Sequence, residues 1–210
     1  MRWWRGVLTF LVAAALAPLA LAGEAAAGAP TEQLRTQVDR VVKLLEDPEL
    51  KKDGRAKERR QAVRKIADEI FDFGETAKRS LGRHWQARTP AEREEFVQLF
   101  SDLLERSYIS KIELYNGERV TYIGDTIEGE TAIVKTRILT KQGTEIPVDY
   151  RMLRKGERWL VYDVIIEGVS LVANYRTQFN KIIQTASYKE LVKKMKSKQE
   201  EFDDQDRRRT

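Results

Sequence analysis

Asp163 and Glu167 stand four residues apart in a run that reads as extended chain, and an even spacing puts both carboxylates on one strand face. Such a pair could do acid–base chemistry if one member sat in an apolar pocket. The same residues could equally be structural, hydrogen-bonded at a strand end or paired with Arg151 or Arg176. His84 is the sole histidine and there is no cysteine, which excludes a Cys–His nucleophile pair and a multi-His metal site. Beside Trp85, His84 reads as a packing residue. Ser170 lacks the second glycine of a Gly-x-Ser-x-Gly elbow and reads as a helix cap. Neither a phosphate-cradling glycine loop nor a dinucleotide fingerprint occurs. The residue inventory points to no catalytic group, no metal and no cofactor.

The elements around these residues follow from hydrophobic period. Leu34, Val38, Val41, Val42 and Leu45 recur at helical spacing over 31–46, and Ala62, Val63, Ile66, Ile70 and Phe71 mark a second helical face. A short helix follows through Ala77 and Leu81, ending near Gly82. Thr89, Pro90 and Glu92 form a capping box that opens the next helix. Its apolar positions, Phe96, Val97, Leu99, Phe100, Leu103, Leu104, Tyr108, Ile109 and Ile112, span more than a narrow stripe. A face that wide is deeply buried or covers something besides its neighbours.

The period then shortens. Four strands are expected at 119–125, 131–140, 145–155 and 158–167, joined by short glycine-containing loops that signal hairpins. In the third, Ile146, Val148, Tyr150 and Met152 share one face, opposite Pro147, Asp149 and Arg151, so one side of the sheet is covered and one is wet. Closing helices run through Leu171, Val172, Tyr175, Phe179, Ile182 and Ile183, then from a second capping box at Ser187 and Glu190. The expected fold is α+β, a four-stranded antiparallel twisted sheet with helices packed on one face.

The 210 residues fit one domain behind a leader. Arg2 and Arg5 precede an apolar run, and Ala20, Leu21 and Ala22 supply the small residues of a cleavage site, so residues 1–22 read as a secretory signal peptide. Residues 23–30 read as a linker, 31–198 as the folded domain, and 199–210 as a charged, disordered tail. Cleavage removes two of 38 basic residues and none of the 33 acidic ones, lowering the formal net charge from +5 to +3. So small an excess gives no basis for nucleic-acid binding.

Two segments carry a family resemblance. One holds Trp159, then Tyr162, Asp163 and Val164, then Glu167, Gly168, Val169 and Ser170, then Asn174, Tyr175 and Arg176, then Gln178 and Phe179. The other runs from Phe71, Asp72 and Phe73 through Leu81, Gly82, Arg83, His84 and Trp85 to the stretch ending at Phe96 and Phe100. Together they resemble the signature of the MlaC family, the toluene-tolerance auxiliary proteins of ABC transporters. The resemblance implies a non-enzymatic periplasmic carrier that maintains outer-membrane lipid asymmetry. Its ligand would be a glycerophospholipid, with the acyl tails in an apolar cavity between sheet and helices. Its partners would be an inner-membrane Mla ABC transporter complex and an outer-membrane lipoprotein–porin complex. Taken with the periodicity, it places the tails against Val134, Ile138, Val148, Tyr150 and Met152 of the sheet, faced by Phe100, Leu104, Tyr108 and Tyr175 of the helices. The alternatives are a non-catalytic interaction module whose apolar groove receives a partner helix, and a small-molecule enzyme using Asp163 as base.

Overall fold

The structure, a computed structural model, describes residues 28–52 and 54–209; the leader expected at 1–22 lies outside them, as does most of the linker. Four helices come first: α1 (Ala29–Glu46), α2 (Ala56–Ile70), α3 (Phe73–Leu81) and α4 (Pro90–Ile112), with a 3-10 turn (Gly82–His84) after α3. Five strands follow, β1 (Arg119–Glu128), β2 (Thr131–Leu139), β3 (Glu145–Lys155), β4 (Arg158–Ile166) and β5 (Val169–Ser170), then α5 (Leu171–Thr185) and α6 (Tyr188–Arg209).

Side-chain caps begin the helices where the sequence signals them. The Thr89 amide donates to Glu92 Oε2 at 2.9 Å and the Glu92 amide to Thr89 Oγ1 at 3.2 Å. Ser170 Oγ accepts from the Ala173 amide at 3.0 Å and Ser187 Oγ from the Glu190 amide at 3.1 Å. Asp72 Oδ1 caps α3 through the Glu75 amide at 3.0 Å. Thr89→Ala is expected to cost about 1 kcal/mol, read as a lower urea midpoint. An unchanged midpoint would mean that packing alone holds the first turn of α4.

The strands form one antiparallel meander in the order β1-β2-β3-β4-β5. The sheet therefore has five strands and not four. β5 is two residues long, paired through Ile165 with Ser170 and Ile166 with Val169, and too short to show an alternation in sequence. It folds back over Glu167 and Gly168, which take φ of 50° and 81°. The charged stretch read from sequence as a tail lies in α6, which continues to Arg209. No apolar stripe marks that stretch. Its helix is laced instead by ion pairs between Lys198 and Glu201 and between Arg207 and Asp204, both 2.6 Å, and tied to α4 by Arg106 and Asp203 at 2.8 Å.

Register fixes the sheet's covered face. Val134 pairs with Tyr150, Thr136 with Val148, Ala132 with Met152 and Ile138 with Ile146, so these side chains share one side. Over it, Leu34 of α1 and Ile66 and Ile70 of α2 pack on Ala132, Val134, Met152, Trp159 and Val161 in one apolar core. The start of α1 is tied to distant strands. The Thr31 amide and hydroxyl donate to Asp125 Oδ2 at 3.0 and 2.6 Å, and the Trp159 amide donates to Gln33 Oε1 at 2.8 Å.

A second core is built from helices alone. Ala77 and Leu81 of α3, Phe96, Leu99 and Phe100 of α4, Phe179 of α5, and Tyr188, Leu191 and Met195 pack together. The backbones of α1, α2, α3 and α5 approach the strands, whereas α4 keeps close to α2, α3 and α6. Ion pairs hold α4 and the residue just after it to α2: Arg64 with Glu105 at 2.9 Å, and Arg59 and Arg60 with Glu113, each at 3.1 Å. Among the described residues no helix is long and apolar enough to cross a membrane.

Candidate functional site

The nine residues expected to meet lipid tails fall into two groups. Val134, Val148 and Met152 are buried on the covered sheet face, and Ile138 and Tyr150 are partly buried beside them. Val134 and Met152 belong to the core under α1 and α2, with Tyr150 packed against it. Phe100 is buried in the helical core, with Leu104 and Tyr175 packed against that core. The Phe100 ring meets Tyr175 edge-on at 5.0 Å and Phe179 at 5.2 Å. Tyr108 joins this group through a hydrogen bond with Tyr175. The structure thus gathers the sheet residues on one face and the helix residues in one cluster, each group with its own neighbours.

Sequence reasoning missed two polar residues on the sheet face. Thr136 is buried, donates from Oγ1 to the Val148 carbonyl at 2.7 Å, and hydrogen-bonds with Tyr150. Tyr122 of β1 pairs in register with Thr136, and its hydroxyl is buried without a hydrogen-bond partner among the described residues. Their positions in the alternation of β1 and β2 were the available signal. Burial pushes the Tyr150 hydroxyl up to about 12, and burial together with nearby Tyr150 pushes Tyr122 up as well. Burial also raises Tyr108 and Tyr175. All four stay protonated at neutral pH, so an apolar interior carries hydroxyl donors from both sheet and helices.

Asp163 is a fully engaged structural carboxylate. Its Oδ1 accepts from the Val172 amide at 3.0 Å, and its Oδ2 accepts from Ser170 Oγ at 2.7 Å and Arg151 Nη1 at 3.2 Å. Glu167 sits exposed in the β4–β5 turn, so the two carboxylates form no acid–base pair. His84 Nε2 lies 3.0 Å from Asn180 Oδ1. Among the described residues no three His, Asp or Glu side chains come together as cation ligands.

The family model described as MlaC protein matches residues 35–197, most of the chain and nearly all of both cores. The chain belongs to the MlaC family. Among MlaC relatives, the intermembrane phospholipid transport system binding protein MlaC of Haemophilus influenzae is 24% identical over 120 residues, 55% of this chain and 56% of that one. The toluene tolerance protein ttg2D of Pseudomonas putida is 24% identical over 125 residues, 59% of this chain and 58% of that one. The matches thus span a little over half the length of each relative. A phospholipid-binding protein from Ralstonia solanacearum, solved in complex with a phospholipid, superposes with a TM-score of 0.72 at 24% identity. That likeness covers 81% of this chain and 97% of the other, and shows that the α+β fold is the one the Ralstonia protein has.

Proposed function

We propose that the chain is a periplasmic phospholipid carrier, exported by a cleaved signal peptide over residues 1–22. It shuttles glycerophospholipid between an inner-membrane Mla ABC transporter complex and an outer-membrane lipoprotein–porin complex, and so maintains outer-membrane lipid asymmetry. The observation that carries this reading is family membership over residues 35–197. The names of the Haemophilus and Ralstonia proteins, one of an intermembrane phospholipid transport system and one solved with phospholipid, support it.

The physics of the cargo asks for a fold of this kind. Each methylene withdrawn from water gains about 0.8 kcal/mol, so two acyl chains are worth on the order of 20 kcal/mol. A carrier must match that with apolar surface and needs no catalytic residue. The tails lie along Val134, Ile138, Val148, Tyr150 and Met152, with Phe100, Leu104, Tyr108 and Tyr175 on the helix side. Unloading requires a partner that favours a weaker-binding state.

Native mass spectrometry of the mature chain, purified from a Gram-negative periplasm without detergent, is expected to show a stoichiometric phospholipid adduct. A bare mass with no lipid uptake from liposomes would sink the carrier reading. Val148→Trp and Leu104→Trp are expected to fold and lose most of that adduct by filling tail space. Folded variants with a full lipid load would displace the tails from this part of the interior.

A further inference from the structure

The two segments that carry the family signature also bring together side chains for which lipid tails have no use. The 3-10 turn after α3 supplies Arg83 and His84, and α5 supplies Arg176, Thr177, Asn180 and Gln184; all line one open cleft of about 530 Å³. Arg176 follows Tyr175 on α5, and successive helical residues point about 100° apart, so Tyr175 turns to the core while Arg176 is exposed.

Asn180 organises the cleft. Its Oδ1 accepts from Arg83 Nη2 at 2.8 Å and faces His84 Nε2 at 3.0 Å, while its Nδ2 donates to Gln184 Oε1 at 3.1 Å. The His84 tautomer with its proton on Nε2 can donate to that same amide oxygen. Arg176 is seated on Gly82, whose φ of 57° ends α3; a Cβ there would come within 3.1 Å of Arg176 Cδ. A side chain at position 82 would be strained and would crowd the Arg176 stem.

The charge balance of this cleft differs from that around several arginines elsewhere in the fold. Arg59 and Arg60 share Glu113, Arg64 meets Glu105, Arg106 meets Asp102 and Arg151 meets Asp163. No Asp or Glu is among the residues lining the cleft. Two guanidinium groups lining one cleft without a carboxylate give a positive potential that a bound anion would relieve.

We propose that this cleft binds a phosphate group, with Arg83 and Arg176 as charged donors and His84 beside them. The guanidinium fork matches the oxygens of a phosphate, and two arginines suit an oxyanion with more charge than one carboxylate carries. The phosphate comes from a lipid head group presented at a membrane surface or from free inorganic phosphate. The inference stands apart from the carrier reading, because the cleft uses none of the nine tail-facing residues.

His84 is the only histidine in the chain, so its imidazole resonances report this cleft alone. Titrating inorganic phosphate into the mature protein is expected to shift them saturably. Arg83→Gln and Arg176→Gln should each weaken that binding about tenfold or more, with lipid load and melting temperature unchanged. Co-sedimentation with phosphatidylglycerol vesicles but not phosphatidylcholine vesicles, lost in the double variant, assigns the phosphate to a head group. Phosphate binding without arginine-dependent sedimentation assigns it to the free ion. No saturable shift through millimolar phosphate, with no arginine-dependent sedimentation, overturns the proposal on the parent protein itself. So does a shift with an Asp- and Glu-rich peptide but none with phosphate, which would point to an acidic protein partner.

Discussion

Phe100→Ala is expected to cost about 3–5 kcal/mol of folding stability. The side chain is 1% exposed, and its ring is enclosed by Tyr175, Phe179 and Phe96 at 5.0, 5.2 and 5.8 Å. Truncation would strip three aromatic contacts at once and leave a void that helices on several sides cannot all close. Urea unfolding of lipid-free protein measures this directly. The variant also separates two roles of one residue. A stable lipid-free variant with a reduced lipid load would make Phe100 a ligand contact; a destabilised one makes it a core residue through which α4, α5 and α6 are joined.

Asp163→Ala should cost about 3 kcal/mol, the second large effect. The carboxylate is nearly inaccessible and serves the Val172 amide, the Ser170 hydroxyl and Arg151. Stranding a buried donor costs about 1–3 kcal/mol. Arg151, 42% exposed at its side chain, can turn to water, so the loss rests mainly on the amide and the hydroxyl. Asp163→Asn keeps an acceptor for the Val172 amide and should lose about 1 kcal/mol, while keeping its lipid load. Thermal unfolding ranks the three proteins. An alanine variant as stable as the parent would end the structural account of Asp163 and revive it as a candidate base.

Much of the scaffold is legible along the chain because its signals are local. Thr89 with Glu92, and Ser170 and Ser187 as caps, mark helix starts through bonds spanning three residues. The alternation through Val148, Tyr150 and Met152 gave the covered face of β3 correctly, and register carries it across to Val134 and Ile138. β5 escaped notice because two residues cannot display a period. The tail's helix offers no apolar stripe to read, only ion pairs, one reaching back to Arg106. The division of the nine residues into a sheet group and a helix group was invisible for a deeper reason. Periodicity says which side of an element is apolar, not which element covers it. The wide face of α4 is spent largely on α3, α5 and α6, a choice made by contacts between segments far apart in sequence.

The ties of Thr31 to Asp125 and of Gln33 to Trp159 also set an order of assembly. They join residues 94 and 126 positions apart. The far half of α1 can settle early, since Leu45 packs on Val63 of the neighbouring α2. The near half cannot, because Leu34 has its seat on strands made long afterwards. The start of the domain therefore cannot take its final seat until β1, β2 and β4 have been made. Until the meander closes, the near half of α1 has no strand to cover its apolar side, and pairing of residues distant in sequence is intrinsically slow. That interval is when a chaperone that shields apolar helices would matter most to this protein, and when α1 is most open to proteolysis.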